Sequence, residues 1–143
     1  MARIKIDLPR QFNFSTSIAV RITDLNYGGH VGNDTVLSMI HEARVQFLKS
    51  HGYDELNLEG VGLIMSDVAI EFKSELFYGD TIKAYVTAGD FTGVAFDLYY
   101  KLQKEMDSQM VLIAIAKTCM VCYNYQQKKI AAVPAKVKSK LTK

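Results

Sequence analysis

"RITDLNYGGHVGND", residues 21–34, joins a strand-like segment to the most apolar helical stretch of the chain. Three glycines, a histidine and two good helix-capping residues stand in this connection, although glycine carries a cost in chain entropy that ordinary loops avoid. Glycines there let other atoms approach the backbone, so the segment reads as a site as well as a joint. Beyond it, Val36, Leu37, Met39, Ile40, Ala43, Val45, Phe47 and Leu48 recur at helical spacing from Asp34 to about Ser50 and cover more than half of the circumference. A helix of that kind must be covered on nearly all sides. Asn33 or Asp34 is placed to cap its start and Gly52 to close its end.

Working outward, residues 16–22, "TSIAVRI", are rich in β-branched residues and read as a first strand. Residues 63–73 alternate, with Ile64, Ser66, Val68, Ile70 and Phe72 on one face and Met65, Asp67, Ala69, Glu71 and Lys73 on the other. A turn at Tyr78–Asp80 leads into a further strand, and "AGDFTGVA" supplies the next turn. Residues 93–103 alternate again, with Val94, Phe96, Leu98, Tyr100 and Leu102 on one side. The polar turn "KEMDSQ" precedes a long strand from about Met110 to Tyr125, whose near-continuous apolar start fits the interior of a sheet. The order of one strand, one helix and then long strands joined by tight turns is α+β, and it makes physical sense when an antiparallel sheet curls around the helix. The 143 residues fit one domain, 1–143. The short first strand leaves apolar surface to cover, which favours a dimer.

Composition narrows the function. Apolar residues make up 49% and charged residues 22%, as in ordinary globular proteins, and a net charge of +2 is too small to point to nucleic acid. The charged start "MARIKIDLPRQF" lacks the apolar stretch of a secretory signal, so no export is implied and a cytoplasmic protein is expected. The longest apolar run, Met110 to Ala116, ends at Lys117 and falls far short of the roughly 20 residues that span a bilayer, so no membrane role is expected. The tail "KVKSKLTK" reads as a solvated terminus. Cys119 and Cys122 lie three apart in a strand, point to opposite faces and cannot converge on one metal, so no metal is expected.

The segment 20–48, "VRITDLNYGGHVGNDTVLSMIHEARVQFL", resembles the signature of hotdog-fold thioesterases of the 4-hydroxybenzoyl-CoA thioesterase type. Arg21, Asp24, Gly29, His30, Val31, Asn33, Glu42, Ala43 and Arg44 match the pattern, and "FYGDTI", with Gly79 and Asp80, is similar to the family's Gly-Asp turn. The resemblance implies a hotdog fold, an antiparallel sheet of five to six strands wrapped around one long central helix, with subunits paired edge to edge as homodimers or dimers of dimers. It implies acyl-CoA or acyl-carrier-protein substrates hydrolysed at the dimer interface, with coenzyme A only as part of the substrate and no other cofactor. Two positions depart from it. The family's catalytic aspartate falls on Asn26, and the first asparagine of its Asn-Asn pair on Gly32. An amide cannot take a proton from water, so the alternative is a protein that binds acyl-CoA without cleaving it.

Thioester hydrolysis needs donors for the developing oxyanion and a group that aligns or deprotonates water. A helix N-terminus supplies the donors from its unpaired N–H groups, and the resemblance selects Asn33 as the donor position, with Gly32 or Asp34 adjacent. For the second role the candidates are Asp24, Asn26 and His30. Asp24 shares a face with Asn26 if the chain is extended there, or else serves as a partner for Arg21 or a loop cap. Tyr27, Gly28, Gly29 and Gly32 are the candidate substrate-binding residues of the loop, and Ser66 and Asp67 those contributed across the dimer. Glu42 lies three turns along the helix and is expected in an ion pair or against the partner subunit. Lys73, Lys101 and the C-terminal lysines are available for coenzyme A phosphates.

Overall fold

The computed structural model describes residues 3–143. Six strands and two α-helices follow in the order β1 (Phe14–Ala19), α1 (Asn33–Ser50), β2 (Gly62–Phe72), β3 (Thr81–Gly89), β4 (Ala95–Met106), β5 (Gln109–Asn124), β6 (Lys129–Ile130) and α2 (Ala135–Leu141). The sheet is antiparallel with strand order β1-β3-β4-β5-β2, and β6 pairs with the end of β5. One face of the sheet packs on α1. Phe96, Leu98, Tyr100 and Leu102 of β4, with Ile82, Ala84 and Val86 of β3, bury their side chains completely against Ile40, Ala43 and Phe47 of the helix. This is the hotdog arrangement, and it follows from the sequence alternation: each long strand has one apolar face, and a single helix apolar on most sides can satisfy all of them. On the other face Phe12 sets its ring edge-on to Tyr85 and beneath the Lys101 ammonium, while the Ile6 N–H donates to the Glu71 carboxylate (2.6 Å).

Several expectations are corrected. β1 ends at Ala19, because Ile22–Asp24 forms a turn of 3-10 helix. α1 is capped by Gly32, with no side-chain cap, and Asn33 is its first residue. The end is as expected: the N–H of Gly52 donates to the Lys49 carbonyl and that of Tyr53 to the Leu48 carbonyl, the double closure that a positive φ at Gly52 permits. A bulge at Ser66 shifts the phase of β2, so Met65, and not Ile64, joins Val68, Ile70 and Phe72 on the helix side, opposite Met120, Thr118, Ala116 and Ala114. Val94 precedes β4 and is exposed. The β4–β5 hairpin turns on Asp107 and Ser108 alone, both at positive φ. The C-terminal tail is not merely solvated: α2 buries Val137 and Leu141. Cys122 is buried and Cys119 half-buried, both as free thiols.

Candidate active site at the start of the central helix

The glycine segment folds into a small closed turn. Leu25 and Val31 form a β-bridge, Asn26 N–H donates to the His30 carbonyl (2.9 Å), and Gly29 N–H donates to the Asn26 carbonyl (3.1 Å). Gly29 takes φ +81°, a conformation costly for other residues. The Asn26 side-chain oxygen accepts the Gly28 N–H (2.8 Å), and a Cβ on Gly28 would stand 3.2 Å from that oxygen and 3.3 Å from the His30 ring. Asn26 is thus first a turn residue, of the kind whose amide replaces a backbone hydrogen bond. Tyr27, at the tip, is fully exposed, and Gly28 and Gly29 are exposed beside it.

The chain leaves this turn through Gly32 into α1. The N–H groups of Thr35 and Val36 both donate to the Gly32 carbonyl (3.1 Å each), whereas those of Asn33 and Asp34 have no partner among the described residues. Unpaired amides and the positive end of the helix dipole make this point a receptor for negative charge. Beside it lies a cavity of about 240 Å³ whose lining includes His30, Asn33, Phe72, Lys73, Glu75 and Leu76. Its wall is fixed by the Val31 N–H donating to the Leu76 carbonyl (2.9 Å), and Leu76 is buried. Lys104, almost wholly buried, anchors the adjoining turn by donating to the Glu75 carbonyl (3.1 Å) and to the Asp80 carboxylate (2.8 Å). Burial alone would raise the Asp80 carboxyl, but the Lys104 ammonium and the Phe77 N–H hold it below the usual carboxylate value.

Asp24 goes elsewhere. The 3-10 turn withdraws it from the face of Asn26, and it is 6% exposed, with its carboxylate accepting the Arg21 N–H (2.7 Å) and pairing with the Arg21 guanidinium (3.2 Å). It lines a second cavity, about 420 Å³, between β1 and α1, together with Glu42, Gln46 and Ser38. Glu42 is exposed there and accepts from the Gln46 amide (2.6 Å). The expected ion pair belongs instead to Arg44, which is buried and reaches Glu55 (3.4 Å) and the Tyr100 hydroxyl (3.3 Å); Glu55 also meets His41 (2.6 Å). Burial pushes the Tyr100 hydroxyl up, against the pull of Arg44 and Thr118. Ser66 and Asp67 are exposed on β2, an edge strand, and line neither cavity.

The structure therefore brings His30 and Asn33 together, leaves Asn26 in the adjoining turn and places Asp24 in a different cavity. Lys73 lines the His30 cavity and pairs with Glu71 (3.1 Å), whereas Lys101 is stacked on the far sheet face. The lysines of α2 lie by Phe91 and Tyr53, at the opposite end of α1, about 27 Å away by helix rise. Glu75, which also lines the His30 cavity, carries no signal in the sequence beyond its place just ahead of the Gly-Asp turn.

An antiparallel sheet wrapped on one long helix defines the hotdog fold. Residues 20–141 match the thioesterase-like superfamily, and the chain belongs to it. It is 27% identical over 120 residues to a protein of Aquifex aeolicus provisionally assigned as an esterase, covering 82% of this chain and 89% of that one. Among solved structures it is similar to a 1,4-dihydroxy-2-naphthoyl-CoA thioesterase from Synechocystis (24% identity, TM-score 0.78, 90% of this chain and 94% of that one). It is also similar to a 4-hydroxybenzoyl-CoA thioesterase variant with asparagine in place of an aspartate, in complex with 4-hydroxybenzoyl-CoA (13% identity, TM-score 0.80, 90% and 98%). No helix among the described residues is long and apolar enough to cross a membrane.

Proposed function

We propose that the protein hydrolyses an acyl-CoA or acyl-carrier-protein thioester to free acid and thiol at the start of α1. The observation that carries this reading is the pair of unpartnered N–H groups at Asn33 and Asp34 beside the His30 cavity. A thioester carbonyl seated there acquires negative charge as water attacks it, and the fixed amides stabilise that charge without reorganising. Coenzyme A enters only as part of the substrate, and the reaction requires no metal.

The site is completed by a second copy of the chain. β2 is an 11-residue edge strand without proline or lysine, and Ile64, Met65, Val68 and Phe72 are 37–47% exposed along it. Such an edge is a template for pairing with a second copy about a two-fold axis, and Ser66 and Asp67, at the middle of the strand, lie on that seam. Tyr27 and the Gly28–Gly29 tip are free to meet substrate at that seam.

A second reading, binding without cleavage, is favoured by one observation: Asn26 offers an amide whose oxygen is already occupied by the Gly28 N–H. Thiol release measured over short, medium, long and aromatic acyl-CoAs, with Asn26→Asp run beside the wild type, separates the two. Turnover by the wild type supports the enzyme. Turnover by Asn26→Asp alone, with tight binding of intact acyl-CoA by the wild type, supports the binder.

A further inference from the structure

The donor cavity has an oxyanion site but no carboxylate at position 26, so hydrolysis needs another group to take the proton of water. Most carboxylates around α1 are held by a protein partner; Asp34, in the first turn, has no side-chain partner among the described residues but does not line the His30 cavity. Asp24 is tied to Arg21, Glu42 to Gln46, Glu55 to Arg44 and His41, Glu71 to the Ile6 N–H and Lys73, and Asp80 to Lys104 and the Phe77 N–H. Glu75 has no side-chain partner among the described residues, and it is the one carboxylate lining the cavity with His30 and Asn33. Its backbone, by contrast, is fixed: Lys104 holds its carbonyl, and the next residue, Leu76, is buried and accepts from Val31 of the glycine turn. Glu75 thus offers an unpaired carboxylate on a clamped backbone at the lining of the cavity that also holds His30 and Asn33.

We infer that Glu75 is the catalytic carboxylate of this site, the base that activates water in place of the aspartate missing at Asn26; the inference rests on the thioesterase reading above. The Glu75 carboxylate accepts a proton from water as the water oxygen bonds to the thioester carbon, and the carbonyl electron pair moves to the oxygen facing the Asn33 N–H. Collapse of that intermediate restores the carbonyl and breaks the C–S bond, and the proton passes from Glu75 to the departing sulfur, which leaves as the thiol beside the free acid.

Steady-state thiol release by Glu75→Gln, Glu75→Asp and Glu42→Gln tests this with the acyl-CoA that the wild type turns over fastest. Glu75→Gln is expected to lower kcat about 100-fold with KM changed less than about twofold, Glu75→Asp to retain intermediate activity, and Glu42→Gln to match the wild type. Glu75 is exposed, so its variants fold. A wild type active on a thioester with an equally active Glu75→Gln protein overturns this inference alone. A wild type inactive on every thioester overturns the thioesterase reading together with it.

Discussion

The two flanks of α1 hold similar residues and treat them oppositely. Toward β1, Asp24, Arg21, Glu42 and Gln46 satisfy one another within a cavity of about 420 Å³, which is the larger of the two. At the start of the helix, beside the end of β2, the smaller cavity keeps two amides and the Glu75 carboxylate without protein partners. Asn33, Asp34 and Glu75 are exposed, so their unpaired groups are open to a ligand, whereas the polar side chains of the β1 flank already hold one another. Size and the presence of carboxylates are weaker guides than unsatisfied hydrogen-bonding capacity.

The comparison breaks most sharply at Asn33. Proline is well tolerated at the first residue of a helix, and Gly32, at φ −74° and ψ 159°, already has the extended conformation a following proline demands. Asn33→Pro therefore deletes one donor while keeping the fold, and kcat for thiol release should fall about 100-fold or more, with little change in the thermal midpoint. An unchanged kcat would move the oxyanion site away from this amide.

A smaller effect is expected at Asp80, which supports the wall of the same cavity. Asp80→Asn leaves the buried Lys104 without its charge partner and should cost about 2 kcal/mol in urea unfolding at neutral pH. Because the folded-state value of Asp80 lies below the usual 3.8, its contribution is present above that value and lost as pH falls through the folded one. The gap between variant and wild type should therefore close as pH falls below the usual carboxylate value, and a gap independent of pH would mean that the carboxylate charge contributes nothing.

The smallest effect belongs to the other flank. Asp24→Asn weakens the pairing with Arg21 and should cost about 1 kcal/mol of stability, while kcat per folded molecule stays at the wild-type level. Loss of activity without loss of stability would return the catalytic role to Asp24.

The signature and the alternating strands made the helix, the sheet and the cavity's His30 and Asn33 legible from sequence, because each depends on local spacing. What was hidden depends on geometry that spacing does not encode. Asp24 turns inward because three residues wind into a 3-10 turn, and β2 changes phase at Ser66 between two apolar residues, Ile64 and Met65, that look alike to an alternation pattern. Glu75 reaches the site from a loop about 40 residues beyond Asn33, held by a lysine of β4. α2 did leave a trace, since Val137 and Leu141 stand four apart, but seven lysine-rich residues carry little periodic signal.

The most direct measurement is amide hydrogen exchange with and without a thioether analogue of an acyl-CoA, which binds but cannot be hydrolysed. Slowed exchange is expected in peptides spanning residues 30–36 and 72–76, with none in those covering Ser17–Asp24. Protection along Ser17–Asp24 and residues 38–46, with 72–76 unchanged, would place the ligand on the β1 flank and contradict it.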